Sequence, residues 1–348
     1  MMQKKVLIPA GLVVLAVAGY FGLGAYSSKL AQKKLEDWVY DQNLGDSLSW
    51  ESVSASPLGG TVTIKGVEFS AAAGSDLELR ANRVQLSELI DENNRTRARI
   101  KIEGVSASPK LLGLMRQYGS FGGYGMGVAA YGPLLSSGRN ELKPFDLTLY
   151  VDANDDEGTL ESDFSLNLPE LASVEIHYGL ANLKDFNRGM RRLQDSLDQL
   201  RKNPGWLGAS LADTGADLES MMGRAELSEV SLSLKDNGLV KRSVALQKRY
   251  GTPLDPTAGD ADKQRDEYFE KTLRTFGKNC ESGLRDSAPK LIDLCEIAVD
   301  VANGKSRGIS FNVKPDERVR LADLERLRAG GPASKRLVER LNPEVSAL

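Results

Sequence analysis

Few side chains in this 348-residue chain have the chemistry of a catalytic centre, since it contains one His and two Cys. That count leaves little room for a triad built around His or for a zinc site. His177 stands between Ile176 and Tyr178 in an alternating segment, so we expect its side chain to point away from the core, on the same face as Glu175. No nucleophile elbow, phosphate-binding loop or zinc-protease motif is present. The sequence predicts no enzyme, no catalytic or metal-binding residue, and no cofactor.

One acidic segment, from Asp152 to Gly158, partly matches a calcium-binding loop. Its Gly comes one position late, and Asp163 stands where the closing Glu is expected. Alternating apolar residues flank the segment on both sides. This pattern predicts a β-hairpin turn rather than an ion site.

The two cysteines, Cys280 and Cys295, enclose a stretch that contains Pro289. In the cytosol they would be two unrelated thiols. Outside the cytoplasmic membrane they would form a disulfide across a helical turn, worth about 3 kcal/mol for a loop of this size. The bridge is therefore predicted only if the chain is exported.

Composition excludes several classes of protein. The chain has 45 Lys and Arg against 48 Asp and Glu, with 41% hydrophobic residues. These values are typical of globular proteins, not of a disordered chain, a collagen or a polytopic membrane protein. Near-neutral charge gives no indication of a nucleic-acid partner. The length fits one large or two ordinary domains.

The N-terminus carries an uncharged stretch, Val6–Tyr26, with Lys4 and Lys5 before it and Lys29 after it. As a helix the stretch would be about 30 Å long, the thickness of a bilayer's hydrocarbon layer. The alternatives are a cleaved signal peptide and a buried core helix. We expect residues 1–28 to form a permanent single-span anchor. The short basic start favours a cytoplasmic N-terminus with the bulk of the chain outside.

A second segment without expected regular structure, Gly113–Gly138, combines many glycines with Leu, Met, Tyr and Phe. It lacks any charge between Arg116 and Arg139. One interpretation is a flexible loop. The other is an adaptable apolar lip that contacts lipid or a hydrophobic ligand. The candidate contact residues are Leu114, Met115, Phe121, Tyr124 and Met126.

Period-two alternation predicts an α+β fold with a mainly antiparallel sheet of roughly eight strands. A membrane-proximal helix is expected over 29–46 and a β-rich body over 47–249, with a helical insertion near 183–202. We expect 250–348 to be helical, with one strand and a C-terminal amphipathic helix. The phrase Ile64-Lys-Gly-Val67 recurs as Ile102-Glu-Gly-Val105, which indicates a repeated strand–bulge–strand device, with a register shift at Gly66.

The layout resembles the AsmA-like and YdgA-like proteins of Gram-negative envelopes. The similar phrases are Gly60-Thr-Val-Thr-Ile-Lys-Gly-Val67, Leu232-Ser-Leu-Lys-Asp-Asn-Gly-Leu-Val240 and Leu341-Asn-Pro-Glu-Val-Ser346. The resemblance implies a protein of the inner membrane with its body in the periplasm. It further implies a role in envelope maintenance, through binding of lipid or another hydrophobic ligand. The partners would be the bilayer and other envelope proteins. The alternative is a structural or interaction scaffold without a ligand.

Overall fold

The computed structural model describes residues 28–41, 44–56, 60–70, 78–108, 136–139, 141–192, 220–325, 327 and 331–348. These residues form an α+β fold around one large antiparallel sheet. The strands are β1 Leu48–Ser49, β2 Ser52–Ala55, β3 Thr61–Ser70, β4 Glu78–Asp91, β5 Arg95–Ala107, β6 Phe145–Asn154, β7 Thr159–Leu168, β8 Ala172–Ala181, β9 Glu226–Asp236, β10 Gly308–Val313, β11 Val319–Arg320 and β12 Pro343–Ala347. The helices are α1 Ser28–Asp41, α2 Leu239–Gly251, α3 Ala261–Ser287, α4 Asp293–Ala302 and α5 Gly331–Leu341.

The sheet follows the order of the chain almost throughout. Its strands lie in the order β1-β3-β4-β5-β6-β7-β8-β9-β10-β12, while β2 pairs with β3 and β11 pairs with β9. At about 4.8 Å between neighbouring strands, ten strands span roughly 43 Å. The sheet therefore places α1 and the C-terminal strand near opposite edges.

The two faces of the sheet differ sharply in polarity, because side chains alternate along each strand. One face, which we call the apolar face, carries Ile100 and Ile102 of β5, and the register places Leu149 and Leu147 of β6 directly opposite them. The other face carries Arg97, Arg99 and polar neighbours. This alternation is what one-sided burial of an antiparallel sheet requires.

Buried side chains on the apolar face form two main clusters. In the first, α1 packs Ala31, Leu35 and Val39 against residues of β3, β4 and β5. In the second, Leu337 and Leu341 of α5 join residues at one end of the strands from β6 to β10. Each cluster covers a different region of the face.

Three neighbouring strands interrupt their alternation in one row, at Gly66, Asn82 and Gly104. The register between β3 and β4 is the same on both sides of Gly66, so the expected register shift there is wrong. Gly66 instead has a φ of +60°, a left-handed backbone that shifts the phase of the alternation by one residue. Val67 and Phe69 therefore lie on the apolar face together with Val62 and Ile64. A register shift does occur at the second copy of the device, where β5 passes Gly104 beside β6. Gly66 of β3 and Gly104 of β5, which hold the same position in the two copies of the phrase, thus align with Asn82 of β4 in one row of interrupted alternation.

Several other predictions from the sequence are confirmed. The segment Asp152–Gly158 closes the β6–β7 hairpin, with Asn154 paired to Thr159, rather than forming an ion loop. The insertion near 183–202 is described as far as residue 192, and 186–192 are helical. The helices α3, α4 and α5 also lie in the region 250–348 that was expected to be helical.

The region 250–348 differs from its prediction in one respect. It contains three strands, β10, β11 and β12, instead of one, and β10 pairs with β9. The sheet therefore continues across residue 250. The strand β12 begins at Pro343, which the apolar pattern marks only as the end of a helix.

The predicted anchor, residues 1–28, lies outside the described residues except for Ser28, the first residue of α1. Among the described helices, none combines the length and the hydropathy needed to cross a bilayer.

Candidate functional site

Two rows of apolar side chains run across the middle of the apolar face. The strand register places Leu147, Leu166, Val174, Leu234 and Ile309 side by side in the first row. It places Leu149, Phe164, Ile176, Leu232 and Phe311 in the second row. Each row crosses five strands without a polar residue.

The central part of these rows is poorly covered. Six residues on β7, β8 and β9 belong to none of the buried clusters of the described residues: Phe164, Leu166, Val174, Ile176, Leu232 and Leu234. Leu232 and Leu234 are 37% and 44% exposed although they lie on a strand in the interior of the sheet. We call these six residues the open apolar strip.

The borders of the open apolar strip are occupied by other elements. On the β6 side, Leu147 and Leu149 pack against the cluster that α1 completes. On the other side, α4 contacts β10 and β12. At two strand spacings the strip is about 10 Å wide, and it grows to roughly 19 Å when β6 and β10 are included. The strip thus lies between the first buried cluster on one side and the strand that α4 contacts on the other.

The polar face carries a charged cluster near the β6–β7 hairpin. Asp152, which is 9% exposed, accepts hydrogen bonds from Arg95 at 2.8 and 3.1 Å and from Arg97 at 2.6 and 2.9 Å. Burial by itself would raise the pKa of Asp152, but the hydrogen bonds from Arg95 and Arg97 outweigh it and leave the pKa below its usual value. Each guanidinium is engaged by the same carboxylate, so the cluster joins β5 to β6.

His177 lies on the polar face, as predicted, between carboxylates of two neighbouring strands. Its Nδ1 is 2.6 Å from Oδ1 of Asp163 on β7, and its Nε2 is 2.9 Å from Oε1 of Glu229 on β9. The hydrogen bond with Asp163 is the main cause of a raised pKa; burial opposes it and Glu229 adds to it. Both ring nitrogens are occupied by acceptors, which favours the protonated imidazolium as a bridge across three strands.

A cleft of about 610 Å³ lies at the end of the strands near the β6–β7 turn. Its lining mixes Glu157, Glu226 and Glu317 with Lys184 and Arg318. In the part of the chain that the structure describes, no group of three or more His, Cys, Asp or Glu is arranged to hold a metal ion.

The two cysteines are joined in a disulfide between α3 and α4, with their Cα atoms 5.7 Å apart. Cys295 is fully buried, so the bridge is part of the packing of these helices. It lies apart from the open apolar strip in sequence and serves to hold α4 beside α3.

The residues predicted to contact a ligand, Leu114, Met115, Phe121, Tyr124 and Met126, lie outside the described residues. The open apolar strip was not predicted as a site. Its strands were each recognised by their alternation, but alternation shows only which side chains share a face. Whether another element covers that face is set by tertiary packing.

Comparison with known proteins adds no relationship. No family model matches the chain, and no curated protein matches it.

Proposed function

We propose that this protein is a single-span protein of the inner membrane, with its body in the periplasm, that binds lipid or another hydrophobic ligand in envelope maintenance. The open apolar strip is the observation that carries the proposal. Contiguous exposed apolar surface on a soluble body is a mark of an interaction site. Leu232 and Leu234 are exposed and the other four residues of the strip are half-buried, although all six lie in contiguous apolar rows near the centre of a sheet.

The form of the strip favours an extended apolar ligand. Its rows run perpendicular to the strands and are continuous with buried rows under α1. A chain of methylene groups lying along such a row would contact one side chain from each strand it crosses. Each buried CH₂ group contributes about 0.8 kcal/mol, so an acyl chain gains affinity from its length without any specific polar contact.

The test is to purify the full chain in mild detergent and to measure retained lipid by native mass spectrometry. The variant Leu232→Thr/Leu234→Thr changes the strip and leaves the N-terminal segment unchanged. Lipid that this variant still retains is therefore bound elsewhere in the chain. We expect the wild type to retain a lipid that this variant loses. Equal retention by both proteins, or none by either, would contradict binding on the strip and would favour a scaffold without a ligand.

The proposed topology has a separate test. A reporter that is active only in the cytoplasm, fused after Leu348, should be silent when the chain is produced in a Gram-negative cell. The matched control places the same reporter before the N-terminal segment, where activity is expected. Strong activity of the C-terminal fusion would show that the body lies in the cytoplasm.

A further inference from the structure

Three basic side chains surround one carboxylate at the β7–β8 turn. Oε2 of Glu170 lies 2.8 Å from Arg139, and Oε1 pairs with Lys143. Arg242, in the first turn of α2, donates to the backbone carbonyl of Glu170. We call these four residues the Glu170 cluster.

The Glu170 cluster lies directly beyond one end of the open apolar strip. Glu170 follows β7 by two residues, and Leu168 at the end of β7 is on the same face as Leu166 and Phe164 of the strip. Leu168 also packs with Leu171 and Leu239 in a small apolar cluster. Apolar surface is therefore continuous from the strip to the base of the Glu170 cluster.

The Glu170 cluster has an excess of positive charge. Three cations face a single carboxylate, and the hydrogen bond from Lys143 lowers the pKa of Glu170, with Arg139 and Arg242 adding to this, so Glu170 stays ionised. The carboxylate of Asp236 also lies beside the turn, where its Oδ1 accepts a hydrogen bond from the backbone N–H of Val240 at 2.9 Å. With both carboxylates counted against the three cations, the local balance is one positive charge.

Arg242 has a donor that no described residue uses. Its Nε is buried and has no hydrogen-bond partner among the described residues. A buried guanidinium N–H without an acceptor is costly, but this Nε is inaccessible to a ligand, so Arg242 adds positive charge to the cluster rather than a hydrogen bond to a headgroup. Arg139 and Lys143 are about half exposed, so they remain accessible to a ligand.

We propose that the ligand is a lipid with a net negative headgroup, held with its acyl chain on the open apolar strip and its headgroup phosphate at Arg139 and Lys143, with Arg242 adding positive charge behind them. This inference rests on the proposed function and names its substrate class. The apolar strip provides affinity for the chain, and the Glu170 cluster selects the charge of the headgroup. A zwitterionic lipid would gain from the strip but not from the excess charge.

The experiment measures binding of phosphatidylglycerol and phosphatidylcholine with identical acyl chains to the full chain in mild detergent by native mass spectrometry. Only the bound population that is lost in Leu232→Thr/Leu234→Thr is counted, which removes lipid held by the N-terminal segment. The test variant is Arg139→Gln/Lys143→Gln. Its matched control, Lys263→Gln/Arg274→Gln, removes two exposed cations from α3, and thermal unfolding monitors the fold of each protein.

We expect the wild type and the α3 control to prefer phosphatidylglycerol, and the test variant to lose about threefold to tenfold of that preference. Phosphatidylcholine binding should fall less, because the choline cation offsets the charge of its phosphate. A second variant, Glu170→Gln, removes the competing carboxylate and should strengthen the preference. A preference that persists in the test variant, or falls in Glu170→Gln, would overturn the headgroup site. Equal binding of both lipids by the wild type would overturn it too while leaving the strip intact, whereas binding of neither would overturn the proposed function.

Discussion

Replacing Leu232 and Leu234 together by Thr separates ligand binding from folding. The two leucines are 37% and 44% exposed. Full burial of a Leu side chain is worth about 1.5–3 kcal/mol, so a ligand that covers the remaining exposed part gains about 0.6–1.2 kcal/mol from each. Their combined loss of about 1.2–2.4 kcal/mol corresponds to an affinity lower by about 7- to 50-fold.

The same substitution also affects stability, and the size of that effect can be bounded. Each Leu is already somewhat more than half buried, so we expect a loss of about 1–2 kcal/mol in unfolding free energy per residue. Thr retains a strong preference for strands, which limits any effect on the ladder itself. Binding is therefore measured well below the melting temperature, by titration with a phospholipid that carries a fluorescent acyl chain.

Two controls make the result decisive. Leu86, which is 1% exposed, lies beneath α1 in the first cluster, so Leu86→Ala should cost about 2–5 kcal/mol of stability with unchanged affinity per folded molecule. Leu254→Thr changes a residue of similar exposure, 41%, in the loop before α3. The reasoning is refuted if affinity follows stability across these variants, or if Leu254→Thr weakens binding as much as the double variant.

Three further predictions concern stability. Gly104→Ala should lower the melting temperature more than Gly60→Ala. Both residues have a positive φ, which costs about 1–2 kcal/mol when Ala replaces Gly. Of the two, only Gly104 would place the new Cβ against another side chain, 2.2 Å from Asn82. An equal fall in melting temperature for the two variants would contradict this reasoning. Replacing Cys280 and Cys295 by Ser should lower the unfolding free energy by about 3 kcal/mol, and alkylation of both thiols in denatured, unreduced protein would show that the bridge is absent. The pKa of His177 in the folded protein is above the ordinary 6.5, so its stabilising contribution is complete below pH 6.5 and is lost as the pH rises through the folded-state pKa. His177→Gln should therefore weaken the dependence of the unfolding free energy on pH, measured by denaturant titrations at several pH values. If the variant shows the same pH dependence as the wild type, His177 is not its source.

The sequence predicted local structure well wherever one strand or helix has its own periodicity. The alternation of Leu147, Leu149 and Val151 identifies β6, and Asn237-Gly238 marks the turn before α2. It could not predict β12, because the five residues from Pro343 contain a single large apolar side chain and the strand is defined by pairing with β10. An edge strand of this kind receives its structure from its neighbour rather than from its own pattern.

The candidate site shows the same limit at the level of tertiary structure. Leu232 and Leu234 look like core residues in sequence, and they are exposed because they belong to none of the buried clusters that the described residues form. The Glu170 cluster draws Arg139, Lys143 and Arg242 from segments about 100 residues apart. No spacing along the chain predicts that these residues meet, because they come together only where the pairing of the strands brings their segments to the β7–β8 turn.

That strand order also determines how the protein can assemble as it is made. From β3 to β9 every strand pairs with the one before it, so each new strand finds its partner already present as the chain emerges. Most of these contacts close short loops and form quickly, whereas β6 and β9 reach their partners across residues 108–144 and 182–225. The longest of these segments precedes β10, which must join β9 across residues 237–307, and β12 must then wait for β10. Until those residues arrive, β9 is an unpaired edge that carries Leu232 and Leu234, so the interval before β10 docks is the stage at which the nascent protein is most exposed to aggregation and to capture by a chaperone.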